Sequence, residues 1–151
     1  MGYKKHINIV WIGKTKEGYL QAGIEKYIKL LKPFADVEIK TLKEDKYSGT
    51  KEKALKKEAD RLFKSLKKDF ILLSERGILM DSLEFAGLVN KKTNLTFVLG
   101  GPFGVDSSVY KEAEMVLSLS PMTFTHEMAR LILLEQLYRA ITIIHGKGYH
   151  Y

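Results

Sequence analysis

The stretch LTFVLGGPFG, residues 95–104, decides how the rest of the chain is read. Phe97, Val98 and Leu99 follow one another without a polar break, the pattern of a parallel strand covered on both faces. The run passes straight into Gly100, Gly101 and Gly104, which lack a Cβ and let a ligand approach backbone amides and carbonyls. Asp106 or Ser107, both good capping residues, then opens a helix. A buried strand, a glycine loop and a helix start in that order mark the carboxyl end of a strand in an open α/β sheet, where such sheets hold ligands.

Outward from this stretch, apolar and partly β-branched runs at 6–12, 37–42, 69–74 and 115–119 read as further strands. Helical spacing covers 17–31, 51–66, 82–91, 107–113 and 126–144. Strict alternation of the two predicts an α/β fold, a mostly parallel open sheet between helices. Residues 47–50 and 90–94 read as loops, and no linker or repeat divides the chain, so a single domain over 1–151 is expected. Two more strands run into polar loops like the one after Leu99. One is Leu73 into Ser74-Glu75-Arg76-Gly77, and the other is the 115–119 strand into Ser120-Pro121-Met122-Thr123-Phe124-Thr125-His126. Three adjacent loops of this kind make a small-molecule pocket.

Composition narrows the classes. The 151 residues include no cysteine, which excludes a disulfide scaffold, thiolate metal ligation and a cysteine nucleophile, and suits a reducing cytoplasm. No apolar run approaches the ~20 residues of a membrane span, and charges interrupt the first 16 residues where a signal peptide would be apolar. The net charge of +7 is uneven: residues 1–68 carry 18 Lys and Arg against 9 Asp and Glu, whereas residues 69–151 carry 7 against 9. Such asymmetry points toward a polyanion, although the basic 51–68 segment also reads as an ordinary solvated helix face. The helix over 126–144 is apolar on most sides, which calls for cover on most sides, and a second copy of the chain is the expected cover.

Several familiar motifs fail on spacing. Ile9-Val10-Trp11-Ile12-Gly13-Lys14-Thr15 imitates a phosphate-binding loop, but the required earlier glycine is Asn8. No GxGxxG follows a strand, so the dinucleotide fingerprint is missing. His6, His126, His145 and His150 lack metal-ligand spacing, so no metal is expected. Ser107 and Ser108 lack the glycines of a nucleophile elbow.

LGGPFG at 99–104, SLSPMTFTHEMARLILLEQLYRA at 118–140 and the terminal GYHY at 148–151 resemble the SPOUT-superfamily ribosomal RNA large subunit methyltransferase H family. The resemblance spans the whole chain. It implies a deep C-terminal trefoil knot, a homodimer, and methylation of N3 of a pseudouridine in 23S ribosomal RNA with S-adenosylmethionine as donor. It further implies donor contacts at Leu73, Gly100, Leu119, Ser120, Pro121, Met122, Thr123 and Phe124. The partner implied is large-subunit ribosomal RNA, in the assembled ribosome, with no role for DNA or a membrane.

The acceptor N3–H is a weak acid, so a group must remove its proton or stabilise the resulting anion. His150 is the first candidate, as base or hydrogen-bond partner, with Tyr149 orienting it and Tyr138 a further phenolic donor. Arg139 is the candidate to hold phosphate or the developing anion, and Glu135, one helical turn earlier, to orient Arg139. Many family members end in Pro-Tyr-His and a basic residue, whereas this chain has Gly148 and ends in Tyr151; Tyr151 stacking on a base, or Lys147, is the expected substitute. The rival readings are a non-catalytic RNA-binding or ribosome-associated α/β module, and a nucleotide-binding enzyme using the glycine loop for phosphate.

Overall fold

Strands and helices alternate from end to end of the computed structural model, which describes residues 4–46, 49–66 and 69–150. They are β1 (Lys5–Ile12), α1 (Gly18–Leu31), β2 (Ala35–Leu42), α2 (Lys51–Ser65) and β3 (Ile71–Leu79). Then come α3 (Ser82–Lys91), β4 (Asn94–Leu99), α4 (Ser107–Glu112), β5 (Met115–Ser118) and α5 (His126–Ile144). The sheet order is β2-β1-β4-β3-β5, and every pairing is parallel.

The side-chain alternation of the central strands divides the core in two. Ile7, Ile9 and Trp11 of β1 and Phe97 and Leu99 of β4 pack on one face with Ile24, Phe85, Val89, Leu133 and Leu137, so α1, α3 and α5 cover that face. Val10, Ile12, Leu72 and Val98 point the other way, against Ala59 and Leu62 of α2 and Val109 of α4. Both faces being covered explains the unalternated apolar runs.

Helix starts follow local chemistry. Thr50 accepts the Lys53 N–H, Asp81 and Glu84 form a capping box, and Thr125 accepts the Met128 N–H. α1 has no such cap of its own. The amides just ahead of it, of Lys16 and of the N-cap residue Glu17, donate to Glu127 Oε1 at 2.8 and 3.1 Å, so a carboxylate on α5 fastens the approach to α1.

Three expectations need adjusting. The strand expected over 69–74 begins at Ile71 and runs on to Leu79, and its register against β5 shifts between Leu73 and Ile78. Residues 74–77 thus form a bulge within a strand, where a terminal turn was expected; the Leu73 and Ile78 partners on β5 coincide at Leu117, so the intervening residues are extruded from the ladder. The loop expected at 90–94 shrinks to residues 92–93, because α3 extends to Lys91 and β4 starts at Asn94. The loop expected at 47–50 and the end of the basic segment, 67–68, lie partly or wholly outside the described residues.

α5 is also better covered than its composition suggested. None of its residues is fully exposed, since it packs against α1, α3 and β4, with Leu131 fitting where Gly23 of α1 has no Cβ. The chain's own elements cover much of it, while Met128, Leu131, Ile132, Ile143 and Ile144 stay half-buried.

Gly77 is the tightest point of the bulge: a Cβ there would lie 2.6 Å from backbone atoms of Val116 and Leu117. Gly77→Ala should therefore cost about 1–3 kcal/mol, read as a lowered urea midpoint at unchanged m-value. A midpoint equal to wild type would show that the β3–β5 register differs from the one described.

Candidate active site

The loops following β4 and β5 and the bulge of β3 meet in one cleft of about 400 Å³. Leu73, Ser74, Glu75 and Arg76 form one wall, residues 99–105 a second, and Leu119, Ser120, Met122, Thr123 and Phe124 a third. His126 and Ala129 at the start of α5, Tyr110 and the exposed Lys51 complete the lining. The volume falls within the range of small-molecule sites. Leu73, Gly100, Leu119, Ser120, Met122, Thr123 and Phe124 are thus brought together as the sequence reading grouped them. Pro121 is not: Ser120 Oγ accepts the Met122 N–H at 3.0 Å, and Pro121 sits exposed at the tip of that turn, outside the lining.

The glycine loop is shaped by backbone contact. A Cβ on Gly100 would meet the Gly104 carbonyl oxygen at 2.7 Å and Val105 Cγ1 at 2.8 Å, so the strand end and the loop's return lie against each other. Gly104 has φ +81°, and its N–H donates to the Gly101 carbonyl at 3.1 Å. On the facing wall Ser74 and Tyr110 share a hydroxyl–hydroxyl bond of 2.7 Å, which ties the β3 bulge to α4.

Behind the cleft, Arg130 is wholly buried at 0% exposure. Its Nη2 donates to the Ile12 carbonyl at 2.7 Å and its Nη1 to Thr15 Oγ1 at 2.9 Å, and the guanidinium lies 4.7 Å from the Trp11 ring centre. Burial lowers its pKa to about 10, which leaves it charged at neutral pH. Glu127 is pushed up by burial, but the Glu17 and Lys16 amides and the nearby cations outweigh this and hold it below the usual carboxylate value. His126 is lowered, first by burial and then by the Arg130 charge.

The residues expected to serve the acceptor form a second cluster, at the other end of α5. Glu135 Oε2 accepts from Arg139 Nη2 at 2.9 Å and from the Tyr149 hydroxyl at 2.8 Å. Arg139 Nη1 lies 3.0 Å from His150 Nδ1. Tyr149 meets Tyr138 edge-on with ring centres 4.8 Å apart, and the Arg139 guanidinium lies 4.9 Å from the Tyr149 ring centre. Tyr149 is held far above the ordinary phenol value, by burial and by its bonds to Tyr27 and Glu135, so it serves as a donor. The structure therefore unites Glu135, Tyr138, Arg139, Tyr149 and His150, but does not bring them to the cleft. Arg139 is ten residues beyond Ala129 on α5, a rise of about 15 Å.

The family described as "Predicted SPOUT methyltransferase" matches residues 5–150. This chain belongs to the SPOUT methyltransferase family. It is 54% identical over 143 residues to the ribosomal RNA large subunit methyltransferase H of Thermodesulfovibrio yellowstonii, covering 95% of this chain and 97% of the relative. The protein of the same name from Pseudothermotoga lettingae is 45% identical over 151 residues, covering 96% and 99%. A solved probable methylase family protein from Haemophilus influenzae superposes with a TM-score of 0.55 at 14% identity, over 96% of this chain and 70% of that one, a likeness of fold alone. The chain is accordingly a SPOUT methyltransferase, an enzyme that moves a methyl group from a donor, built on a parallel sheet between helices. Among the described residues no helix is long and apolar enough to cross a membrane, and no group of three His, Asp or Glu is placed to hold a metal.

Four residues of this methyltransferase escaped the sequence reading. Tyr27 of α1 bonds to Tyr149 across 3.2 Å, and Tyr110 reaches Ser74, contacts that no local pattern announces. Glu127 and Arg130 carried a weak signal: charged residues in an otherwise apolar helix need partners when buried.

Arg130→Ala would leave the Ile12 carbonyl unpaired beside a cavity, and should cost about 3 kcal/mol in urea unfolding, with Arg130→Lys recovering only part because lysine lacks the guanidinium fork. For His126 the native form binds fewer protons than the unfolded chain near the ordinary value of 6.5, so its contribution is full above that pH and is lost as pH falls. Relative to His126→Gln, wild type should lose stability as pH falls below about 7.5; a pH-independent difference would contradict the half-buried imidazole's lowered pKa.

Proposed function

We propose that the chain is an S-adenosylmethionine-dependent methyltransferase acting on N3 of a pseudouridine in large-subunit ribosomal RNA, in the cytoplasm and as a homodimer. The observation that carries this reading is the convergence of the β3 bulge and the β4 and β5 loops on one cleft, in a chain closely similar to proteins named for large-subunit ribosomal RNA methylation. The C-terminal trefoil knot belongs to the same proposal.

The cleft suits the proposed donor. Its close glycine backbone at Gly100 and Gly101 would present amides and carbonyls to a polar adenosyl group, and Leu73, Leu99 and Leu119 supply an apolar surface for a purine. When bound, the sulfonium supplies a methyl on an activated leaving group, for which positioning provides much of the acceleration. The protein's work falls on the acceptor. Arginine nitrogens only donate, so His150 Nδ1 accepts from Arg139 and the ring proton resides on Nε2. His150 thus presents a donor, which would stabilise the anion at a ring carbonyl oxygen once the N3 proton has passed to water. Glu135 and Tyr149 hold Arg139 and the tail in that geometry. The buried Arg139 Nε has no hydrogen-bond partner among the described residues.

One chain keeps the tail cluster about 15 Å along α5 from the cleft lining, so a second copy supplying its tail is the arrangement that joins donor and acceptor chemistry. This separation supports the homodimer beside the half-buried apolar residues of α5.

Calorimetric titration with S-adenosylmethionine and transfer of tritiated methyl to ribosomes and to naked ribosomal RNA test the proposal together. His150→Ala, or removal of residues 149–151, should lower turnover by about 10²–10³-fold while leaving donor affinity within two-fold. Unchanged turnover in the shortened chain overturns the role of the tail. A particle of 17.3 kDa in light scattering at micromolar concentration overturns the dimer. RNA binding with no affinity for the donor would favour a non-catalytic RNA-binding module.

A further inference from the structure

Phe103 is 68% exposed, although a large apolar ring is usually among the most buried of side chains. It occupies the third position of the turn Gly101-Pro102-Phe103-Gly104, closed by the Gly104 N–H bond to the Gly101 carbonyl at 3.1 Å. Pro102 at the second position fixes its own φ, so the turn that carries the ring at the cleft mouth has less backbone freedom to lose. Such a ring is pre-organised for a contact the isolated chain does not make. Met122, also at the mouth, is 75% exposed.

The charge around the ring indicates the kind of partner. The Lys51 ammonium sits 5.4 Å from the Phe103 ring centre, at the first residue of α2. Lys56, further along α2, is close enough for its charge to be felt at Asp106, just beyond the turn. An apolar peptide would gain nothing from these two cations. A flat π-face beside lysines matches single-stranded nucleic acid, whose bases stack on aromatic rings while cations track the phosphates. We propose that Phe103 is a stacking platform for an unpaired nucleobase of the RNA substrate, next to the nucleotide that enters the cleft, and that Lys51 holds the phosphate of the stacked nucleotide. This rests on the proposed function for the nature of the substrate, and adds which residues meet its flanking strand.

The test compares Phe103→Ala, Phe103→Leu and Phe103→Trp in the full-length protein. Readouts are methyl-transfer kinetics on ribosomes lacking the modification, calorimetric affinity for S-adenosylmethionine, and fluorescence anisotropy with a labelled oligouridine. Phe103→Ala should raise KM for ribosomes and Kd for oligouridine by about ten-fold or more, with donor affinity unchanged. Phe103→Trp should match wild type, and Phe103→Leu, apolar without a π-face, should resemble the alanine variant. Lys51→Ala should weaken oligouridine binding and lower its salt dependence.

Loss of donor affinity in Phe103→Ala overturns the proposal by placing the ring in the donor site. A change of mass in light scattering overturns it by placing the ring in a subunit interface, and rescue by leucine reduces the contact to apolar packing. Wild-type KM and Kd in Phe103→Ala overturn it while leaving the proposed function intact. If wild type methylates neither ribosomes nor naked RNA, the proposed function fails and the anisotropy series alone decides the stacking role.

Discussion

The structure hangs on a buried guanidinium. Arg130 leaves water entirely, a costly transfer for a charge, and offsets it with the Ile12 carbonyl, the Thr15 hydroxyl and the face of Trp11. Ile12 is the last residue of β1, beside Leu99 at the end of β4 through the Trp11 pairing, and it is also the side chain nearest to where a Gly101 Cβ would be. The same turn of α5 sends Glu127 to the open amides just ahead of α1. Two adjacent charged residues therefore fasten the β1–α1 connection to α5, and α5 in turn supplies His126 and Ala129 to the cleft. A small shift of α5 would leave two charges unpaired in the interior, which makes the position of these lining residues an electrostatic as well as a packing constraint.

Element type and order were legible in the sequence because they are local. Leu95 to Leu99 could be read as a doubly covered strand, and Asp106 as a cap, from neighbours a few residues away. The bulge in β3 was not legible. Ser74-Glu75-Arg76-Gly77 has turn composition, and only the pairing of Leu73 and Ile78 around Leu117 reveals that the strand resumes. Sheet order was equally hidden, since it depends on contacts between β1 and β4 made across most of the chain.

The site divides along the same line. Two of the cleft walls were readable because each follows its own strand, and parallel strands end on one side of a sheet; the third was read as a turn after a strand and is a bulge within one. Pro121 was grouped with its neighbours by sequence adjacency, whereas the Ser120–Met122 turn puts it outside. The tail residues could be named, and the spacing of Glu135 and Arg139 foretold their pairing on one helical face. Their distance from the cleft could not be foreseen, because it depends on where the chain doubles back after α5. Gly146, with φ +67°, makes that reversal and returns Tyr149 to Tyr138 and Tyr27.

Sheet order also resolves why positive charge accumulates in the first half of the sequence while the cleft is built from the second. The crossovers place α2 and α4 on the same face, where Ala59 and Leu62 of α2 share a cluster with Val109 of α4. α4 begins just after the glycine turn, so packing α2 beside it sets the first lysine of α2 at the cleft mouth. A buried apolar contact thus determines where an exposed charge acts. The basic segment was ambiguous in the sequence, as fit for a solvated surface as for a polyanion, because charge alone carries no position. Its meaning comes from Leu62 and Val109, which turn a compositional surplus into a local field beside the cleft.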